Sequence, residues 1–187
     1  MYTGGLKIYS TIQTDVQGIM EDYLSNPDNL GNERYYNKEK DEYEYPEVAM
    51  VVMNPSNGDI IGIIGGRGEK TGKLSYNRAT QAVRQPGSSL KPLTVYGKAF
   101  EENLVTLGTI IEDSPVMKYD GSDWPANADG KYHGDMSIYK ALTNSYNPPA
   151  VRVLKLQQDD DGTFSTVLNF ARDTLKLSSL QDDDKNG

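Results

Sequence analysis

"VAMVVMNPSNGDIIGIIGG", residues 48–66, decides the fold. Two apolar runs, 48–54 and 59–66, flank Pro55-Ser56-Asn57-Gly58, a turn in which Gly58 can take positive φ, and this combination predicts a β-hairpin. Both arms are apolar on nearly every residue. The hairpin is therefore expected at the centre of a sheet with both faces covered, most simply by helices, which points to a layered α/β fold.

Upstream, "LKIYSTI" (6–12) alternates apolar and polar residues and predicts a strand, after which Thr14 and Asp15 can cap the helix "DVQGIMEDYL" (15–24). Residues 25–47 are rich in charge and tyrosine and have no sustained apolar period, so they read as a surface insertion or loop whose tyrosines cover neighbouring surface. Downstream, the glycine-rich "GGRGEKTGK" (65–73) connects the hairpin to the helix "SSLKPLTVYGKAFEEN" (88–103), which places Pro92 within its first two turns. Residues 106–133 are loop-rich and hold the single tryptophan, Trp124, which is expected to pack under a long loop. Three more helices are expected: 135–145 capped by Asp135, 148–157 opening on its two prolines, and 162–177 after the acidic turn "QDDD". The end, "QDDDKNG" (181–187), is expected to fray.

A chain of 187 residues is enough for one domain or a large part of one, and its grouped apolar residues favour a folded protein. The net charge of -8 argues against a general affinity for nucleic acid, which needs clustered Lys and Arg. With no cysteine there is neither disulfide nor thiolate chemistry, which leaves the compartment open. No apolar stretch approaches the roughly 18 residues of a membrane span, and "MYTGGLKIYS" is not a signal peptide, so any address or anchor is expected outside these residues.

Chemistry is concentrated in Ser88-Ser89-Leu90-Lys91. A serine and a lysine three apart on a helix project from one face, and lysine can take the serine proton if burial lowers its pKa. Taken alone, the pattern reads more simply as an N-cap with a solvated lysine. Ser145-Tyr146-Asn147, between two helices, offers a hydroxyl able to relay a proton and an amide able to hold a substrate carbonyl or the lysine. By itself it too reads as a capping serine and a turn asparagine.

Other signals are weaker. The glycine-rich loop lacks the Gly and Ser/Thr that a phosphate loop needs, and it also fails the dinucleotide pattern. His133 is the only histidine, which rules out a histidine-rich metal site and favours a hydrogen-bonding loop residue over a catalytic triad member. Asp159, Asp160 and Asp161 lack calcium-loop spacing and read as a solvated turn. No metal and no cofactor is expected.

The segments "YNRATQAVRQPGSSLKP" (76–92), "IIEDSP" (110–115) and "NADGKYHGDMSIYKALTNSYNPPAV" (127–151), with the hairpin upstream, closely resemble the transpeptidase domain of class A penicillin-binding proteins, from about Gly5 to Leu177. The resemblance implies a largely antiparallel sheet flanked by helices. It also implies Ser88 as the acyl-accepting nucleophile, Lys91 as its proton partner, Ser145 as the relay, and Asn147 orienting Lys91 and the substrate amide. The implied reaction is serine D,D-transpeptidation of peptidoglycan stem peptides, with β-lactams acylating the same serine. Alternatives are a D,D-carboxypeptidase or β-lactamase-like hydrolase, and a non-catalytic wall-binding or scaffold module. The family's late K-[ST]-G strand has no counterpart after Asn147, and Lys70-Thr71-Gly72 precedes the nucleophile, which reads as coincidence. Residues 1–187 are thus expected to be the N-terminal portion of a single transpeptidase domain, inactive alone unless a companion chain or later segment supplies that strand. The parent protein is expected to be membrane-anchored on the extracytoplasmic face of a bacterial cell.

Overall fold

The computed structural model describes residues 5, 7–30, 34–68, 72, 74–177 and 180. They fall into two compact units, Met1–Arg84 and Gln85–Gly187. Leu6, the Lys70-Thr71 pair and the terminal 181–187 segment, each named above, lie outside the described residues.

In the first unit, helix α1 spans Thr14–Ser25. Val16, Met20 and Leu24 recur every four residues on one face, and that face packs against Ile64, Val48 and Val52 to form the unit's core. The helix begins on Gln13 with no side-chain cap, so neither Thr14 nor Asp15 caps it. Within 25–47 a short hairpin forms from strands β1 (Tyr35–Asn37) and β2 (Glu42–Glu44). Its Tyr36 and Tyr43 rings lie 5.3 Å apart, and the Tyr45 ring takes the guanidinium groups of Arg34 and Arg67 at 4.7 and 4.5 Å.

The expected hairpin is present as β3 (Met50–Met53) and β4 (Ile60–Ile64), paired antiparallel with a register shift at Val52/Met53. Among the described residues it is two-stranded, and Met50, Val51, Met53 and Ile60 are exposed. Along β4 the edge is taken by residues 11–17. Gln13 N–H donates to Ile61 O at 2.9 Å, Thr11 Oγ1 donates to Ile60 O at 2.6 Å, and the Gln17 amide both donates to Ile63 O (3.0 Å) and accepts from Ile63 N–H (2.9 Å). A side-chain amide thus stands in for a neighbouring strand. The same contacts explain why 7–12 forms no strand: the segment touches β4 at its end, with Ile8 and Tyr9 left exposed. Helix α2 (Arg78–Gln81) closes the unit, capped by Asn77 Oδ1, which accepts from Ala79 N–H.

The second unit opens with one helical run of changing pitch: a tight turn over Gly87–Leu90, wide turns over Lys91–Gly97, and α3 (Lys98–Glu101). Proline explains the change. Pro92 has no N–H for the Ser88 carbonyl, which instead takes the Lys91 N–H one residue earlier. The chain then loosens until a Cβ on Gly97 would sit 3.0 Å from Pro92 O, so glycine is what fits there.

The stretch 106–133 holds three strands not expected from sequence: β5 (Ile110–Asp113), β6 (Met117–Tyr119) and β7 (Ser122–Trp124). Strands β6 and β7 pair with each other, with Trp124 opposite Met117; the tryptophan is exposed at a strand end and does not pack under a loop as expected. Strand β5 pairs with β8 (Gly134–Ser137), and α4 (Ile138–Thr143) follows directly. This corrects the expected helix start: Asp135 lies in a strand, and Ser137 is the cap, its Oγ accepting from Lys140 N–H. Helix α5 (Asn147–Lys155) opens on its prolines as expected. Helix α6 (Ser165–Asn169) widens over Phe170–Thr174. Asp159 accepts from Thr166 Oγ1 and N–H at 2.6 and 3.1 Å, so the acidic turn is tied to the start of α6. The core joins Tyr96, Ala99, Val105, Ile138, Ala150 and Val153. Every strand pair among the described residues is antiparallel, in agreement with the expected fold class.

Candidate active site

Gly87, at φ +57°, lets the chain turn from Pro86 into the helical run. In the tight turn that follows, positions three apart eclipse, which sets Ser88 and Lys91 on one side. Ser89 faces elsewhere, with Oγ donating to Pro86 O at 2.6 Å. It has a turn role.

The Lys91 amine crosses to the loop between α4 and α5. Nζ donates to Asn147 Oδ1 at 2.5 Å, to Ser145 O at 2.6 Å, to Ser145 Oγ at 3.3 Å and to Tyr146 O at 3.4 Å. No carboxylate pairs with it among the described residues. Burial lowers its pKa below the ordinary lysine value, which favours the neutral amine that a proton acceptor needs. These contacts are more than a capping serine with a solvated lysine requires.

Ser88, Ser145 and Asn147 line one cavity of about 320 Å³, with Asp129 and Tyr146 also in its wall. The structure thus gathers all four sequence-derived residues: three in direct contact and the fourth on the same cavity. Ser88 Oγ makes no hydrogen bond to Lys91 among the described residues. Base–nucleophile contacts are often open without substrate and close in the complex.

Ser145 sits at φ +55°, a left-handed backbone that costs a non-glycine residue about 1–2 kcal/mol. Ser145→Gly and Ser145→Ala both remove the hydroxyl, but only glycine relieves the backbone. Thermal melts of the full-length polypeptide should rank glycine above alanine by about 1 kcal/mol. The reverse order would show that the backbone is not strained.

Sequence reading assigned no site role to Asp113, Asn127 or His133. Asp113 is fully buried, and its carboxylate accepts from Asn127 Nδ2 at 2.9 Å to each oxygen and from His133 N–H at 3.0 Å. The His133 ring stacks on Tyr146 with centroids 4.4 Å apart, its Nδ1 2.8 Å from Asp113 and its Nε2 3.1 Å from Asp129. That agrees with a hydrogen-bonding loop histidine. The only available signal was the presence of these residues in two segments of the family resemblance, 110–115 and 127–151. No group of metal-binding residues occurs among the described residues.

The sequence pattern of the penicillin binding protein transpeptidase domain matches residues 48–176. Penicillin-binding protein 1A of Clostridium acetobutylicum is 38% identical over 160 residues, covering 80% of this chain and 19% of that protein. The protein of the same name from Vibrio cholerae is 39% identical over 135 residues, covering 70% and 16%. Among solved structures, that of PonA1 from Mycobacterium tuberculosis in complex with penicillin V aligns with a TM-score of 0.70 at 25% identity, covering 100% of this chain and 45% of that one. Penicillin-binding protein 1A from Haemophilus influenzae aligns with a TM-score of 0.54 at 29% identity, covering 73% and 20%. The chain spans about a fifth of the length of the curated relatives it matches.

Proposed function

The chain belongs to the penicillin-binding protein transpeptidase family, and from that premise we propose that it carries the nucleophile segment of a serine D,D-transpeptidase. Ser88 Oγ attacks the carbonyl between the two terminal D-alanines of a peptidoglycan stem peptide while Lys91 Nζ takes its proton. The tetrahedral adduct collapses, the C–N bond breaks, and the departing D-alanine amine receives a proton by way of Lys91 and Ser145. An amine of a neighbouring stem then attacks the Ser88 ester, its proton returns to Ser88 through the same groups, and the cross-link forms. A β-lactam is opened by the same attack and leaves its acyl group on Ser88.

The observation that carries this reading is the seat of the Lys91 amine on Ser145 and Asn147, beside the cavity that Ser88 lines. A capping serine with a solvated lysine needs none of these contacts. Substrate carboxylate binding falls to a K-[ST]-G strand from a later segment or a companion chain. The reading places the protein at the extracytoplasmic face of a bacterial membrane; no described helix is long and apolar enough to cross a membrane.

The test is covalent mapping. The full-length polypeptide is incubated with benzylpenicillin and digested with trypsin, and a single penicilloyl mass increase is expected on the peptide beginning at Gln85, localised to Ser88. An adduct at another residue, or none, overturns the assignment.

A further inference from the structure

Asn147 is held at both ends by the segment before it in space. Its Nδ2 donates to Ala126 O at 2.6 Å, and its backbone N–H donates to Asn127 Oδ1 at 2.8 Å. Asn127 is itself buried, and its Nδ2 donates to both Asp113 oxygens and to Lys131 O, the last at 2.7 Å.

The orientation of the Asn127 amide is dictated. The Lys131 carbonyl can only accept and the Asn147 N–H can only donate, so the NH₂ end must face Lys131 O and Asp113 while the oxygen faces Asn147 N–H. Asp113 is fixed in turn, since it ends β5 opposite Gly134 of β8 and its buried carboxylate receives the His133 backbone N–H. Taking a carboxylate out of water is costly unless donors surround it, and here several do. The hydrogen bonds run without a break from Asp113 to Asn127, to Asn147 and to the Lys91 amine.

We propose that Asp113 and Asn127 are positioning residues: the buried carboxylate sets the Asn127 amide, the amide sets Asn147, and Asn147 sets the Lys91 amine. Neither touches the reacting atoms. The inference rests on the transpeptidase reading above, and it predicts coupling that a simple loop pin would lack.

The experiment is a double-mutant cycle in the full-length polypeptide, read as the rate of Ser88 acylation by a fluorescent penicillin, with melting temperatures measured alongside. Asn127→Ala should slow acylation about tenfold in the native background but less than about twofold when Asn147 is already alanine. The same slowing in both backgrounds, or none in either, overturns the proposal. If Asn127→Ala does not fold, Asp113→Asn keeps the side-chain shape and should show the same dependence on Asn147. Independence there overturns the proposal equally. A native protein that takes no label removes the transpeptidase reading and this inference together, whereas a labelled protein with additive variants removes only the inference.

Discussion

Ser88→Ala is expected to abolish covalent labelling by penicillin, with acylation falling at least about 10⁴-fold, because this substitution removes the atom that forms the ester. The neighbouring serine cannot substitute for it: Ser89 Oγ is committed to the Pro86 carbonyl at 2.6 Å. Ser89→Ala should therefore label at close to the native rate, and the contrast between adjacent serines separates nucleophile from helix cap. If the cap alternative held, the two variants would differ in stability and not in label. Gel fluorescence after exposure to a fluorescent penicillin, normalised to folded protein, makes the measurement. Undiminished labelling of Ser88→Ala would end the assignment.

Lys91→Met is expected to slow acylation by about 10²- to 10⁴-fold, the usual contribution of a positioned general base. Methionine keeps much of the apolar stem and deletes the amine. Arginine would keep the charge but never supply a neutral nitrogen, so Lys91→Arg should be about as slow. The pH profile carries the sign. Only the neutral amine accepts a proton, so acylation rises as pH climbs through the Lys91 pKa. Burial lowers that pKa, which brings the rise to a lower pH than an ordinary lysine would allow. In Lys91→Met this limb should vanish. A variant retaining both the native rate and the native limb would show that another group collects the proton.

Local signals were legible where side-chain pattern and backbone need coincide. The hairpin at 48–64 announced itself through two apolar runs and a glycine turn, and α5 through its opening prolines. Misreadings arose where a distant partner settled the structure. Gly134–Ser137 resembles a helix entry, but pairing with Ile110–Asp113, more than 20 residues earlier, makes it a strand and moves the cap from Asp135 to Ser137. Residues 7–12 alternate as a strand should, yet Gln13 and Gln17 take the hydrogen bonds that a strand would have used. At the candidate site, the proposed residues Ser88, Lys91, Ser145 and Asn147 were visible because short motifs carry them. Asp113 and Asn127 were not, since their contacts span 14 and 20 residues and neither has a local pattern of its own.

The Gln17 amide against Ile63 has one more consequence, which concerns the direction in which this sheet can grow. Unpaired strand edges invite addition from any passing chain, and here one flank is already saturated by the polypeptide's own glutamines. A strand approaching that flank, whether legitimate or aberrant, would have to displace those contacts, so the hairpin is guarded there against recruits.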